Sequence, residues 1–279
     1  MLAAAYVGVT LAEAEQARAR ERERERDLVV RLLSDEYYED VSYAAAQLEC
    51  LSRHALPALF ALLDDDRTVK LHNTMDLIYP GATTFYGHGL IVDYDIDRIP
   101  LRAGWLIENI TSRDFGFRLG MFEFEEGLFL TVRKSRPRDV PMSEILSVRA
   151  SQEAGDAQLV EAVRRAKDWW QEHGSDWNRL DGLLEALRSG SSWRQRKAFR
   201  WLRFGETRCD GLNEDSLESL VIPEVQRLSR SHDEGVRSQA ELLLIDHGDE
   251  RNRDKDWYFL NIKGRKCDRP CDPDRDTQP

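Results

Sequence analysis

Long apolar runs are missing from this chain. The most apolar stretch at its start, Met1 to Leu11, gives way to Ala12-Glu13-Ala14. It has no basic leading region and is too short to span a bilayer, so a helix start is expected there. Only a start lying upstream would make Met1 to Ala14 the end of a signal or anchor, and no membrane contact is expected. Cysteine is sparse too: Cys50, Cys209, Cys267 and Cys271 are four in 279 residues. They are too few and too scattered for a disulfide framework, which points to a reducing compartment and a cytoplasmic location. Cys267 and Cys271 have no second Cys or His pair at zinc-ligand spacing. Basic charge is in deficit, with 40 Lys and Arg against 51 Asp and Glu and a formal net charge of −11. Such an average field disfavours nucleic acid and anionic membrane and favours a basic protein partner, although a local basic patch can overturn it. Also absent are a Rossmann fingerprint, a phosphate-cradling glycine loop and a nucleophile with a recognisable base. Asp114-Phe115-Gly116 is not a kinase motif, because neither a glycine-rich loop with a strand lysine nor a His-Arg-Asp loop accompanies it. No catalytic residue and no cofactor is therefore expected.

What the chain has is a repeated pattern. Leu56-Pro57-Ala58-Leu59-Phe60-Ala61-Leu62-Leu63 is followed by Asp64-Asp65-Asp66 and then by Val69. Ile222-Pro223-Glu224-Val225-Gln226-Arg227-Leu228 is followed by Ser231-His232-Asp233-Glu234 and then by Val236. A third copy, Leu183 to Leu187, then Ser189-Gly190-Ser191-Ser192 and Trp193, carries Gly182 in place of the proline. Pro57 suits a first helical turn, where its missing N–H costs nothing. A recurring helix-turn-helix unit indicates a helical-repeat array, since one helix pair cannot bury its apolar face until a neighbour stacks on it. An acidic turn, then Val236-Arg237-x-x-Ala240 with following leucines, and a helix opening on Leu/Ile-Pro together resemble the HEAT-repeat family over roughly residues 28 to 70 and 158 to 250. The resemblance implies an all-α fold, a right-handed α-solenoid of antiparallel helix pairs, serving most often as a protein-binding scaffold. Ser42 replaces the usual arginine in the first copy, and Lys197 stands where alanine is common in the third.

The expected organisation is a charged N-terminal helix over 1–27, a repeat domain over 28–260 and a disordered tail over 261–279. Arg18 to Arg26 alternates with glutamates at same-face spacing, which reads as a solvated capping helix rather than a nucleic-acid arm. Residues 77–140 fit no repeat. Thr83 to Tyr86 and Leu90 to Tyr94 flank Gly87-His88-Gly89 and predict a short hairpin, and Met121 to Phe124 with Leu128 to Val132 predict a second. Leu101 to Ile110 predicts a helix between them.

A glycine-marked insertion in a helical array is where function often sits, so Phe85, Tyr86, His88, Asp93, Asp95 and Asp97 are the expected partner-binding residues. Alternate spacing puts the three aspartates on one strand face. With His88 they suggest a divalent-metal enzyme as a rival reading, but the spacing lacks the glycine and glutamate of an EF-hand loop, so no metal is expected. Leu159, Val163, Ala166 and Trp170 form a helical stripe with Trp169 beside it, and these, Trp177, Trp193 and Trp201 read as core packing. Arg194, Arg196, Lys197, Arg200 and Arg203 read as a solvated basic face, and would be the surface of a second rival, a nucleic-acid-binding HEAT-like protein. The favoured function is a non-catalytic protein-binding scaffold or adaptor.

Overall fold

The computed structural model describes residues 16, 19–20, 22–31, 33–72, 82–84, 94–117, 142–204 and 210–248, and these are mostly helical. No helix among the described residues is long and apolar enough to cross a membrane. Helix α1 runs through residues 22–31; its first turns are exposed, and Val29 with Leu33 beyond it enters the core. Helix α2, Tyr38–Leu51, buries Ala44 and Leu48 completely, small and large residues one turn apart that let a neighbouring helix come close. The chain reverses at Ser52, at φ 52°, passes through a 3-10 turn, Ser52–Ala55, and enters α3, Leu56–Leu62. Pro57 occupies the first turn of α3, as expected, with Leu56, Leu59 and Phe60 buried.

After the acidic turn the first copy departs from the repeat. Val69 does not open a helix; it lies in strand β1, Thr68–His72, of a three-stranded antiparallel sheet with β2, Ala82–Thr84, and β3, Tyr94–Arg98, in the order β1-β3-β2. Thr68 and Lys70 are exposed and Leu71 is buried, an alternation that suits a half-covered strand and gives no helical stripe. The predicted pairing of 83–86 with 90–94 is also displaced: Ala82 faces Asp97 and Thr84 faces Ile96, so the strand that β2 meets starts at Tyr94. On its other side β3 pairs with β1, which sequence reasoning missed. His72 N–H donates to the Glu36 carbonyl at 2.7 Å, fastening the sheet to the start of the α2 region.

Helix α4, Ile99–Thr111, follows β3 directly and opens on Ile99-Pro100, the same device as in α3. Every residue from Ile99 to Thr111 is buried except Trp105 and Asn109, which are half-buried, so α4 is enclosed by its neighbours rather than laid on a surface. Even its charged residues are used inward. Arg102 donates from Nη1 to the carbonyls of Leu33 and Asp35 at 2.6 and 2.8 Å, satisfying acceptors beyond the end of α1. Gly104 is required by packing: a Cβ there would lie 2.2 to 2.4 Å from the Phe117 ring.

The rest is helical. Helix α5, Met142–His173, turns Leu159, Ala162, Ala166 and Trp169 to the core, with Val163 and Trp170 at its margin; the expected stripe was thus centred one residue off, and Trp169 rather than Trp170 is the inward ring. Phe60 stacks on Trp170 at 4.7 Å between centroids. Then come α6, Arg179–Arg188, and α7, Ser192–Phe204. Helix α8 is a short turn, Glu214–Ser216, a π turn, Leu217–Val221, and Ile222–Leu228; α9 is Glu234–Gly248. Pro223 has no N–H and its ring excludes a regular preceding turn, which accounts for the π geometry just before it. Helix α6 packs on α8 and α7 on α9, so these two hairpins stack like on like. Val236, Ala240 and Leu243 of α9 are buried, each large one contributing about 1.5–3 kcal/mol.

Two apolar clusters result, one of α1 to α5 and one of α6 to α9. Arg179 joins them. Completely buried, it donates to Ser52 Oγ at 2.8 and 3.1 Å and to the Ile110 carbonyl at 2.5 Å, and it stacks 3.6 Å from the Trp201 ring centroid. Burial lowers its pKa to about 10, with Asp210 and Glu49 opposing the shift, so it stays charged at neutral pH. Close by, Cys50 is disulfide-bonded, while the other three cysteines lie outside the described residues. The spacing of the four cysteines gave no sign of this bond, although a single disulfide is not a framework.

Candidate binding surface

The half-buried residues of α4 mark where polar chemistry gathers. Trp105 and Asn109 lie one turn apart on the side of α4 that meets α7, and the chain beyond them turns at Ser112, at φ 54°, into Arg113. That turn is held from inside. Glu108 is fully buried and its Oε1 accepts from the backbone N–H groups of Phe115, Gly116 and Phe117 at 2.8, 2.9 and 3.2 Å. Desolvation pushes the Glu108 carboxyl above its ordinary value, against the pull of Lys197 and of those N–H groups. The result is a fixed platform that presents Arg113.

Helix α7 supplies the facing residues. Lys197 donates to Asn109 Oδ1, and its ammonium lies 4.8 Å from the ring centroids of both Trp105 and Trp193. An ammonium over two indole faces is attracted by both ring quadrupoles. Asn109 is fixed in turn by donating to Glu49 Oε1 at 3.0 Å. One turn earlier on α7, Arg194 donates from Nε to the Ser112 carbonyl at 3.1 Å and pairs through Nη2 with Glu185 Oε1 at 3.0 Å. Arg113 pairs with the other oxygen of the same carboxylate and lies 4.9 Å over the Trp169 ring. Burial holds Arg113 below its ordinary pKa, Glu185 opposing and Arg194 adding to the shift. Two guanidiniums thus share one carboxylate, and a third cation stands a turn away between two tryptophans.

This corrects two expectations. The basic residues of α7 do not form a solvated face: Arg194 and Lys197 are tied to α4 and α6, Arg196 approaches Asp233 ahead of α9, Arg203 is half-buried, and Arg200 alone of the five is exposed. Nor is Trp193 a core residue like Trp169, Trp177 and Trp201; it is half-buried at the rim. Arg113, Glu185 and Trp105 were not singled out, because their contacts cross the chain: Arg113 and Glu185 are 72 residues apart.

Of the residues expected to bind a partner, Phe85, Tyr86, His88 and Asp93 lie outside the described residues, as do the second expected hairpin and the tail. Asp95 and Asp97 stand at alternate positions of β3, opposite Leu71 and Val69 in the register. Asp97 is a strand residue and does not cap α4, whose N-cap position is Arg98. Among the described residues no three His, Cys, Asp or Glu side chains are gathered so as to hold a metal ion. No family model matches the chain, and no curated protein or solved structure matches it significantly.

Proposed function

We propose that this chain is a non-catalytic protein-binding scaffold or adaptor of the helical-repeat type, and that a partner docks on the face between α4 and α7. The observation that carries this reading is the pair Trp105 and Trp193, both half-buried, flanking Lys197 beside the Arg113–Glu185–Arg194 cluster. Tryptophan and arginine at the rim of a rigid fold are the residues that dominate binding energy at interfaces, because they combine large apolar area with fixed polar geometry. The stacked α6/α7 and α8/α9 hairpins support the further reading of a HEAT-like solenoid, whose elongated surfaces suit protein partners. The segment with Phe85, Tyr86, His88, Asp93, Asp95 and Asp97 is a second contact in this proposal, since β3 feeds α4 without a break.

The test is capture from the native lysate with three tagged proteins: wild type, W105A/W193A, and Y86A/D93A/D95A. A near-stoichiometric protein held by wild type and lost from W105A/W193A supports docking on the α4–α7 face. Retention by all three would remove both contacts from the proposal.

A further inference from the structure

We infer that the partner presents an acidic segment, and that Glu185 occupies in the free protein the place one of its carboxylates takes in the complex; this rests on docking at the α4–α7 face. The cations there are held from behind. Arg194 is anchored by the Ser112 carbonyl and Arg113 by the Trp169 ring, leaving them 18% and 24% exposed, whereas the carboxylate they share is 44% exposed and comes from a different helix. Removing Glu185 would therefore leave two oriented guanidiniums in position. Arg113 also keeps a buried Nε with no hydrogen-bond partner, a donor the fold leaves unspent. Two guanidiniums share this one carboxylate, and Lys197, pinned between Trp105 and Trp193, stands a turn further along α7, where Glu108, Asp114 and Glu49 are the neighbouring carboxylates.

Carboxylates match guanidinium forks in geometry and charge, and preorganised donors bind them without paying again for ordering. The chain as a whole carries −11, which repels a long polyanion while permitting a short acidic segment at one cationic patch. Nucleic acid, with a charge about every 1.7 Å of duplex, meets that repulsion over its whole length. The average charge of the sequence favours a basic partner; the two paired guanidiniums of the docking face favour a carboxylate at that one place.

Fluorescence anisotropy with labelled hexaglutamate tests the inference, using the full chain at low and at physiological salt. Wild type is expected to bind it more tightly than hexalysine or an oligothymidylate. E185Q, freed of the internal competitor, is expected to bind about 3-fold or more tightly than wild type, and R113Q/R194Q about 10-fold more weakly. An unchanged or weaker affinity in E185Q, no binding of hexaglutamate by either protein, or preferential binding of hexalysine or the oligonucleotide would overturn it. Glu185 is a surface residue, so E185Q is expected to fold, and its melting temperature checks this. Loss of the captured protein from W105A/W193A together with failure of hexaglutamate would retire the acidic segment while leaving the docking face in place.

Discussion

Replacing Glu108 separates two effects that the fold combines, the acceptor it provides and the charge it buries. Its Oε1 serves three backbone N–H groups, but Gly116 N–H has a second acceptor in Asp114 Oδ1 at 3.2 Å, so Glu108→Ala leaves the Phe115 and Phe117 donors without partners. A buried donor left unpaired costs about 1–3 kcal/mol, or about 2–6 kcal/mol for the two. Relief from burying a carboxylate offsets part of this, and we expect Glu108→Ala to lose about 2–4 kcal/mol. Glu108→Gln keeps a carbonyl acceptor and should stay within about 1 kcal/mol of wild type at neutral pH. The pH dependence has a definite sign. Burial raises the folded-state pKa of this carboxyl above the ordinary 4.5, so its contribution is fully present below that value and is lost as pH rises through the folded pKa. Wild type should therefore gain stability on E108Q as the pH is lowered from neutrality towards the ordinary glutamate range. Urea unfolding followed by tryptophan fluorescence measures all three proteins. A loss below about 0.5 kcal/mol in E108A, the size of an ordinary surface substitution, would refute the brace, and an E108Q as damaged as E108A would show that the charge is what the loop needs.

Gly104→Ala should cost about 1–3 kcal/mol, because its Cβ would overlap the Phe117 ring, and Phe117→Ala in the same chain should remove most of that extra cost; thermal melts of the single and double variants measure the coupling. Arg179→Met should destabilise by about 3 kcal/mol or more, since Ser52 Oγ and the Ile110 carbonyl lose their buried donor; two separate unfolding transitions would show that Arg179 couples the two clusters. Lys197→Met should keep the packing of Trp105 and Trp193 yet lose the cation between them, lowering stability by about 0.5–2 kcal/mol while blue-shifting tryptophan emission little.

The helices were legible where local signals suffice. Leucine spacing and a first-turn proline located α3 and α8, and the matched turn between repeats located α6/α7 and α8/α9. Ile99-Pro100 is the same signal, and the helix expected over Leu101 to Ile110 opens on it two residues earlier. Strand β1 was hidden: it looks like the start of a repeat helix until β3, far along the chain, offers it hydrogen-bond partners. The binding face was harder still. Periodicity says which residues turn inward, and by that measure Trp105 and Trp193 look like core; only the reach of Lys197 from α7 to Trp105 and Asn109 of α4 shows that they stop at the rim.

The most direct test of docking on the α4–α7 face is photo-crosslinking from position 200. Arg200 is exposed and lies one turn beyond Lys197 on the same side of α7, so a photoreactive residue there samples the face without disturbing Trp105 or Trp193. The account predicts one dominant protein adduct from position 200 in the native lysate, abolished by W105A/W193A. Adducts from a photoreactive residue at Ile245, 64% exposed on α9, with none from position 200, would place the docking surface elsewhere and contradict it.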